Sequence, residues 1–428
     1  MWQEPIEDPS KSISPGAKFG PATPPAKFAF SSQVFSAEKL LLERMLDSLG
    51  NPSVQIVLWD GQQLGHPASA APARMIIGDR GALLKLISNP EFWFGEMYTA
   101  GRIDVEGDLA EFIETVYRSL PRINQGTLGK KLLAPFSDAR RNSLPKARSN
   151  INHHYDIGNK FYQLWLDKEM LYTCAYFPDQ SMSLEDAQTA KMDHICRKLQ
   201  LQPGESVVEA GSGWGTLALH MARHCGVKVK AYNISKEQIA YSRQRARAKG
   251  LYDQVEFIED DYRHIQGRFD AFVSVGMLEH VGVDNYFELG AVIDRCLTHS
   301  GRGLIHTIGR DYPSSMNPWI ERRIFPGAIP PSLSEMMRIF EPNGFSVLDV
   351  ENLRLHYAKT LEHWMERYEG ATDSVTAMFD AAFVRAWRLY LAGSLAAFRS
   401  GAMQLFQVGF ARSGYNQIPW TRQHQYLS

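Results

Sequence analysis

Cysteine is scarce in this chain. Its 428 residues hold four, Cys174, Cys196, Cys225 and Cys296. Their spacing fits neither a C-x-x-C metal pattern nor a small disulfide framework, so reduced thiols in a cytoplasmic protein are expected. Long hydrophobic runs are missing as well: nothing reaches the roughly 18 uninterrupted apolar residues of a spanning helix. The start, MWQEPIEDPSKSISPG, has no apolar core behind a basic segment, and no signal peptide is expected. Net charge is nearly absent, at −1. No global field therefore draws the chain to nucleic acid or anionic lipid. The N/D-P-P-Y/F type of motif that serves exocyclic amines is also missing, so no nucleic-acid partner is expected. His153 and His154 have no third ligand at useful spacing, and no metal is expected.

What remains is the composition of a globular protein, 44% hydrophobic and 22% charged. Its length allows two or three domains. Residues 1–34, rich in Pro, Gly, Ser and Lys, are expected to be a disordered leader. Residues 35–118 read as a small α+β domain. They offer a helix over 36–48 capped by Ser36, then strand, Asp-Gly turn and strand in SVQIVLWDGQQLG. Two further helices follow in ISNPEFWFGEMYTAG and DLAEFIETVYRSL. Residues 119–150 carry Arg122, Lys130, Lys131, Arg140, Arg141, Lys146 and Arg148 against Asp138. This basic linker is either a solvated connection or a peripheral contact with anionic lipid, to which each basic residue contributes about 1 kcal/mol. From 151 to 428, strand patterns (SVVEA, VKVKAYN, VEFIEDD, FDAFVSVGM, GRGLIHTIG, FSVLDVENL) alternate with helical ones. That alternation predicts an α/β fold with a mainly parallel sheet.

The stretch VVEAGSGWGTLALHMA, 207–222, has the spacing G-x-G-x-G at Gly211, Gly213 and Gly215. A dinucleotide fingerprint places its third glycine one residue later, and a phosphate loop needs a Lys that is not here. A glycine turn between a first strand and a helix instead suits S-adenosylmethionine (SAM), whose methionine and ribose portions need close backbone approach. A tight turn without a ligand is the other reading. Asn233 ends the second strand, where an acidic partner for ribose hydroxyls is usual. Asp260 and Asp261 end the third, where a carboxylate could accept from an adenine amino group.

HHYDIGNKFYQLWLDKEMLYTCAYF (153–177), EAGSGWG (209–215), SVGMLEHVG (274–282), IHTIG (305–309), RRIFPGAIPPSLSEM (322–336) and LHYAKTLEHWMERY (355–368) together resemble the cyclopropane-fatty-acyl-phospholipid synthase family. That family includes the mycolic-acid cyclopropane synthases and methyltransferases. The resemblance runs from about 140 to 412. FGEMYTAGRIDVEGDL more weakly resembles the lipid-associated N-terminal domain of the bacterial phospholipid enzymes.

The resemblance implies a Rossmann-like class I SAM-dependent methyltransferase. It would move the methyl carbon of SAM to a cis double bond of a phospholipid acyl chain and close a cyclopropane ring by deprotonation. C-methylation without ring closure is the second outcome, and a non-catalytic lipid-binding protein the third. The implied base is a bound bicarbonate, held by Cys174, Glu279, His306, Tyr357 and the backbone of Ile308. The implied SAM contacts are Tyr172, Thr173, Glu209, Gly211, Gly213, Asn233, Ile234, Gln238, Asp261, Tyr262 and Arg263, with His154, Tyr155 and Asp156 closing over the cofactor. Phe161, Tyr162, Trp165, Tyr172, Tyr176, Phe177, Trp319 and Phe325 are mostly core, with some lining a dry tunnel. Ser394 stands where several members have a cysteine, which argues against covalent catalysis there. A homodimer attached peripherally to the inner membrane face is the implied setting.

Overall fold

The computed structural model describes residues 35–67, 73–120 and 157–426. The leader, most of the basic linker and His153 to Asp156 lie outside the described residues.

The small N-terminal unit begins with the helix Ser36–Ser48. Ser36 is not its cap, because it already lies in the first turn. Phe35 takes the cap position, and its N–H donates to Glu38 Oε2 at 2.9 Å. Strands β1 (Gln55–Val57) and β2 (Gln63–Gly65) pair antiparallel, as expected, about a turn holding Asp60 and Gly61. Gly61 has φ +85°, a conformation glycine adopts freely. The sequence patterns did not announce β3 (Ala73–Ile77) and β4 (Ile103–Gly107), which complete a sheet ordered β2-β1-β3-β4. Between them run the helices Arg80–Ser88 and Pro90–Thr99, and Leu109–Ser119 follows.

The larger unit is built on seven strands: β5 (Ser206–Ala210), β6 (Lys228–Asn233), β7 (Val255–Glu259), β8 (Phe269–Val275), β9 (Leu297–Gly309), β10 (Phe345–Asn352) and β11 (Gln404–Arg412). Their order is β10-β11-β9-β8-β5-β6-β7. The five from β5 to β9 run parallel, and β11 lies antiparallel between β9 and β10. Helices cover the sheet, so Val207 and Val208 of SVVEA are both fully buried, as in strands covered on two faces. The chain enters at β5, moves outward through β6 and β7, then returns to β8 on the other side. The strand ends at such a switch point form a crevice for a ligand.

A second core lies beside the sheet. The helices Arg354–Gly370 and Ala381–Ser400 pack Trp364 and Trp387 against Phe161, Tyr162 and Trp165, all fully or almost fully buried. Phe161 meets the Trp387 ring edge-on at 4.9 Å. Burial of each such side chain stabilises the fold by about 1.5–3 kcal/mol.

The helices Ala381–Ser400 and Pro318–Arg323 join the two units. Arg385 donates to the carbonyls of Tyr98 (2.6 Å) and Ile103 (3.0 Å), and Arg323 pairs with Glu96 at 2.6 Å. Gly95 is seated against the ring of Trp319, where no Cβ could fit without movement. Among the described residues no helix is long and apolar enough to cross a membrane.

Candidate active site

The glycine turn sits at the end of β5, inside the crevice. All three glycines have positive φ: +85°, +51° and +80°. They are glycine for different reasons. A Cβ on Gly211 would lie 2.9 Å from Met277 Cβ, and one on Gly215 would lie 2.5 Å from the Phe257 ring. Those two allow close packing. A Cβ on Gly213 would meet nothing within 4 Å, so its missing side chain leaves open space beside the backbone.

The turn is fastened to the next strand. Gly211 and Ser212 N–H groups donate to the Tyr232 carbonyl at 2.9 and 3.1 Å. Asn233 Nδ2 donates to the Gly213 carbonyl at 3.1 Å and to Gln238 Oε1 at 2.8 Å. The Asn233 amide therefore braces the turn and orients Gln238, with Ile234 between them in sequence. Asp261 is buried and accepts from the Arg263 N–H at 3.0 Å, while the Arg263 guanidinium pairs with the same carboxylate. Tyr262 is buried beside them, and burial pushes its phenol pKa up.

Tyr172, Thr173 and Cys174 lie in an irregular segment, and Thr173 Cγ2 would be 3.0 Å from a Cβ on Gly276, just after β8. Tyr172 OH bonds Tyr390 OH at 2.7 Å. The helix Leu184–Leu199 holds the segment from below: Gln188 Nε2 donates to the Thr173 carbonyl at 2.9 Å and Lys191 Nζ to Thr173 Oγ1 at 2.8 Å. Lys191 is fully buried, which brings its pKa down to about 8; the charges of Asp167, Cys174 and Glu209 oppose that fall. Glu209, the last acid of β5, is pushed up to about 8 by burial, opposed by Lys191. Its Oε2 has no hydrogen-bond partner among the described residues.

The second cluster gathers on β8, β9 and the helix Arg354–Gly370. Glu279 lies in a short 3-10 turn after β8, and its Oε1 accepts from the Ile308 N–H at 2.6 Å. That amide was expected to face a bound anion; here it is committed to Glu279. Burial lifts the Glu279 carboxyl to about 7. His306, two residues before Ile308 on β9, is buried, and burial first, then the charges of Lys191 and Lys198, hold its pKa well below the ordinary imidazole value. Glu279 Oε2 and His306 Nε2 are both buried without a hydrogen-bond partner among the described residues. Cys174 is buried with its Sγ 3.1 Å from the Ala175 carbonyl, and burial raises its pKa, which keeps it a thiol. Tyr357 packs its ring on Phe398 at 4.6 Å. Its N–H donates to the Leu353 carbonyl, which also lies 4.0 Å from Cys174 Sγ. Cys174, Tyr357 and Ile308 belong to one continuous core.

The structure thus joins Glu279 directly to Ile308, and Cys174 to Tyr357 through Leu353. His306 stands on the same strand as Ile308, within the field of Lys191, as Cys174 does. The sequence reading missed Gln188, Lys191 and Gln407. Gln188 and Lys191 had a signal: two polar residues three apart on a helix face that turns inward. Of the aromatics, Phe161, Tyr162, Trp165 and Trp319 are almost fully buried, and Phe325 contacts His280 and Tyr390. Ser394 is half-buried within its helix.

Known proteins match the chain over both units. The family model described as mycolic acid cyclopropane synthetase matches residues 142–408, and one described only as a domain of unknown function matches 41–124. A probable fatty acid methyltransferase of Pseudomonas putida is 37% identical over 89% of this chain and 98% of its own length. The cyclopropane-fatty-acyl-phospholipid synthase of Escherichia coli K12 is 40% identical over 62% of this chain and 68% of its own. Among solved structures, the cyclopropane synthase MmaA2 from Mycobacterium tuberculosis has a TM-score of 0.60 at 28% identity, covering 62% of this chain and 98% of that one. The mycolic acid cyclopropane synthase CmaA1 complexed with SAH and CTAB gives 0.59 at 29%, over 61% and 97%.

Proposed function

Because this chain belongs to the mycolic acid cyclopropane synthetase family, we propose that it closes a cyclopropane ring on a cis-unsaturated phospholipid acyl chain. It is a SAM-dependent methyltransferase with a Rossmann-like fold. The ring-closing step and the phospholipid substrate are our reading. The observation that carries it is that Glu279 Oε2 and His306 Nε2, on two of the family motifs, are each buried without a hydrogen-bond partner among the described residues. Buried polar groups are normally hydrogen-bonded, so each of these atoms suits contact with a small polar guest.

When bound, SAM supplies an electrophilic methyl group and bicarbonate a base for the ring-closing proton. The residues of the chain fit both. Gly213 leaves room at the turn, Asn233 bonds its carbonyl and orients Gln238, and Asp261, Tyr262, Arg263, Tyr172, Thr173 and Glu209 are the further contacts of this reading. Glu279, with a pKa near 7, can hold or release a proton at neutral pH. His306 is neutral and can donate through Nε2. The amide of Ile308 fixes the Glu279 carboxyl, and the Cys174 thiol and Tyr357 complete the set. Burial of these groups excludes water, which would otherwise capture a carbocation. Aromatic side chains are dense around these motifs, and a desolvated cation over a ring face gains about 2 kcal/mol.

A substrate of this kind lies in a membrane, so on this reading the protein works from the membrane surface, with a homodimer as the working form. A second reading is methylation without ring closure. It is favoured by the P. putida relative, named a fatty acid methyltransferase and matched across both units.

Methyl-labelled SAM with vesicles of cis-unsaturated phospholipid tests these readings. Label in the chain with upfield ring protons in the NMR spectrum of the released esters is the expected result. Vinyl or methyl-branch signals would establish the second reading. SAM binding without any transfer would overturn both.

A further inference from the structure

We propose that Gln407 is a positioning residue that fixes the tautomer of His306, so that the imidazole presents its Nε2–H to the guest of the site. The inference deepens the base assignment above and rests on it for its functional consequence.

Gln407 lies on β11 and is the register partner of His306 on β9. Partners in a ladder project their side chains to the same face. Gln407 Nε2 is 3.1 Å from His306 Nδ1, and both residues are buried. A neutral imidazole has one donor nitrogen and one acceptor, and the bond made by the first decides what the second does. An amide N–H directed at Nδ1 makes Nδ1 the acceptor and leaves the proton on Nε2. Nε2 is the atom without a partner among the described residues. It would therefore be a donor, as an anion requires.

The row continues beyond Gln407. Its other register partner is Glu351 on β10, whose carboxylate accepts from Lys198 Nζ at 2.7 Å and lies 2.7 Å from His194 Nε2. These contacts anchor the strand that flanks Gln407 to the helix Leu184–Leu199. The helix also supplies Lys191, whose field reaches His306. A ring placed by packing alone could carry its proton on either nitrogen; the amide, which turns its Nε2 to Nδ1 and leaves its Oε1 without a hydrogen-bond partner among the described residues, selects one.

The test uses the full chain labelled with ¹⁵N-histidine and long-range proton–nitrogen spectra, His306 being assigned by difference with His306→Gln. The wild type should show one His306 tautomer, protonated at Nε2. Gln407→Met keeps length and apolar bulk but has no N–H. It should replace that single tautomer by an exchanging mixture while retaining SAM binding. It should also raise the bicarbonate concentration for half-maximal transfer by about tenfold, the scale of one hydrogen bond to a charged group. Protonation at Nδ1 in the wild type would overturn the inference whether or not the variant folds. So would an unchanged tautomer in Gln407→Met. If the tautomer changes as expected but transfer shows no dependence on bicarbonate, the role of Gln407 stands and the base assignment falls.

Discussion

The two halves of the site are assembled in opposite ways. The cofactor half is nearly continuous: from Glu209 to Arg263 it follows one strand, one turn and the two strands that come next. The base half is scattered over Cys174, Glu279, His306 and Tyr357, with Gln407 further on. The first is fastened by backbone: the turn amides bond Tyr232, and Asn233 bonds the turn. The second is made of side chains brought in from separate segments once the sheet and the helix Arg354–Gly370 have packed. The difference implies that a substitution can remove either half and spare the other.

The largest effect is expected from Glu279→Gln, which should lower transfer about 10²–10⁴-fold, the range for loss of acid–base chemistry. Calorimetry should find SAM binding intact. Lost binding would mean that the two halves are not separable. Gly213→Val is the converse: its φ of +51° is strained for valine, and the side chain would enter the open space. SAM binding should vanish in calorimetry while the fold persists in circular dichroism. Gly215→Ala sharpens the contrast within one turn. Its Cβ would press on Phe257 and Ser242, so the loss should appear in the melting temperature, with a cost of about 1–3 kcal/mol.

A pH effect distinguishes Glu279 from its surroundings. Its folded pKa is raised from the ordinary 4.5 to about 7. Between those values the unfolded chain has lost the proton and the folded one keeps it, so this group's contribution to stability falls as pH rises. Glu279→Gln should flatten the decline in melting temperature between pH 4.5 and 7. An identical decline in both proteins would refute the raised value. The smallest effect on chemistry is expected at Gly95, outside both halves. Gly95→Ala should loosen the N-terminal unit from Trp319, seen as a separate early transition in scanning calorimetry, with SAM binding unchanged.

Much of the scaffold was legible in the chain. SVVEA is β5 to the residue, and the helix after the glycine turn runs from Thr216 to Cys225 as its apolar pattern indicated. Periodicity and turn residues are local, so these elements needed no knowledge of the fold. β11 was not recognised, although QLFQVGFAR is apolar enough. It is the last strand of the sheet in sequence but lies inside it, and nothing near Gln404 says that it inserts between β9 and β10. β3 and β4 escaped for a similar reason: short strands are defined by their partners.

By itself, then, the sequence determined the α/β class, the glycine turn with its adjoining strands, and, through joined motifs, the residues worth testing. Tertiary structure alone decided that Gly213 faces open space while Gly211 and Gly215 face side chains. It alone put Lys191 under Thr173, gave the Ile308 amide to Glu279, and set Gln407 beside His306. Each of those facts depends on which segments meet and how deeply they are buried. A bond between residues 101 positions apart, as between His306 and Gln407, is fixed by strand register, which no local pattern encodes.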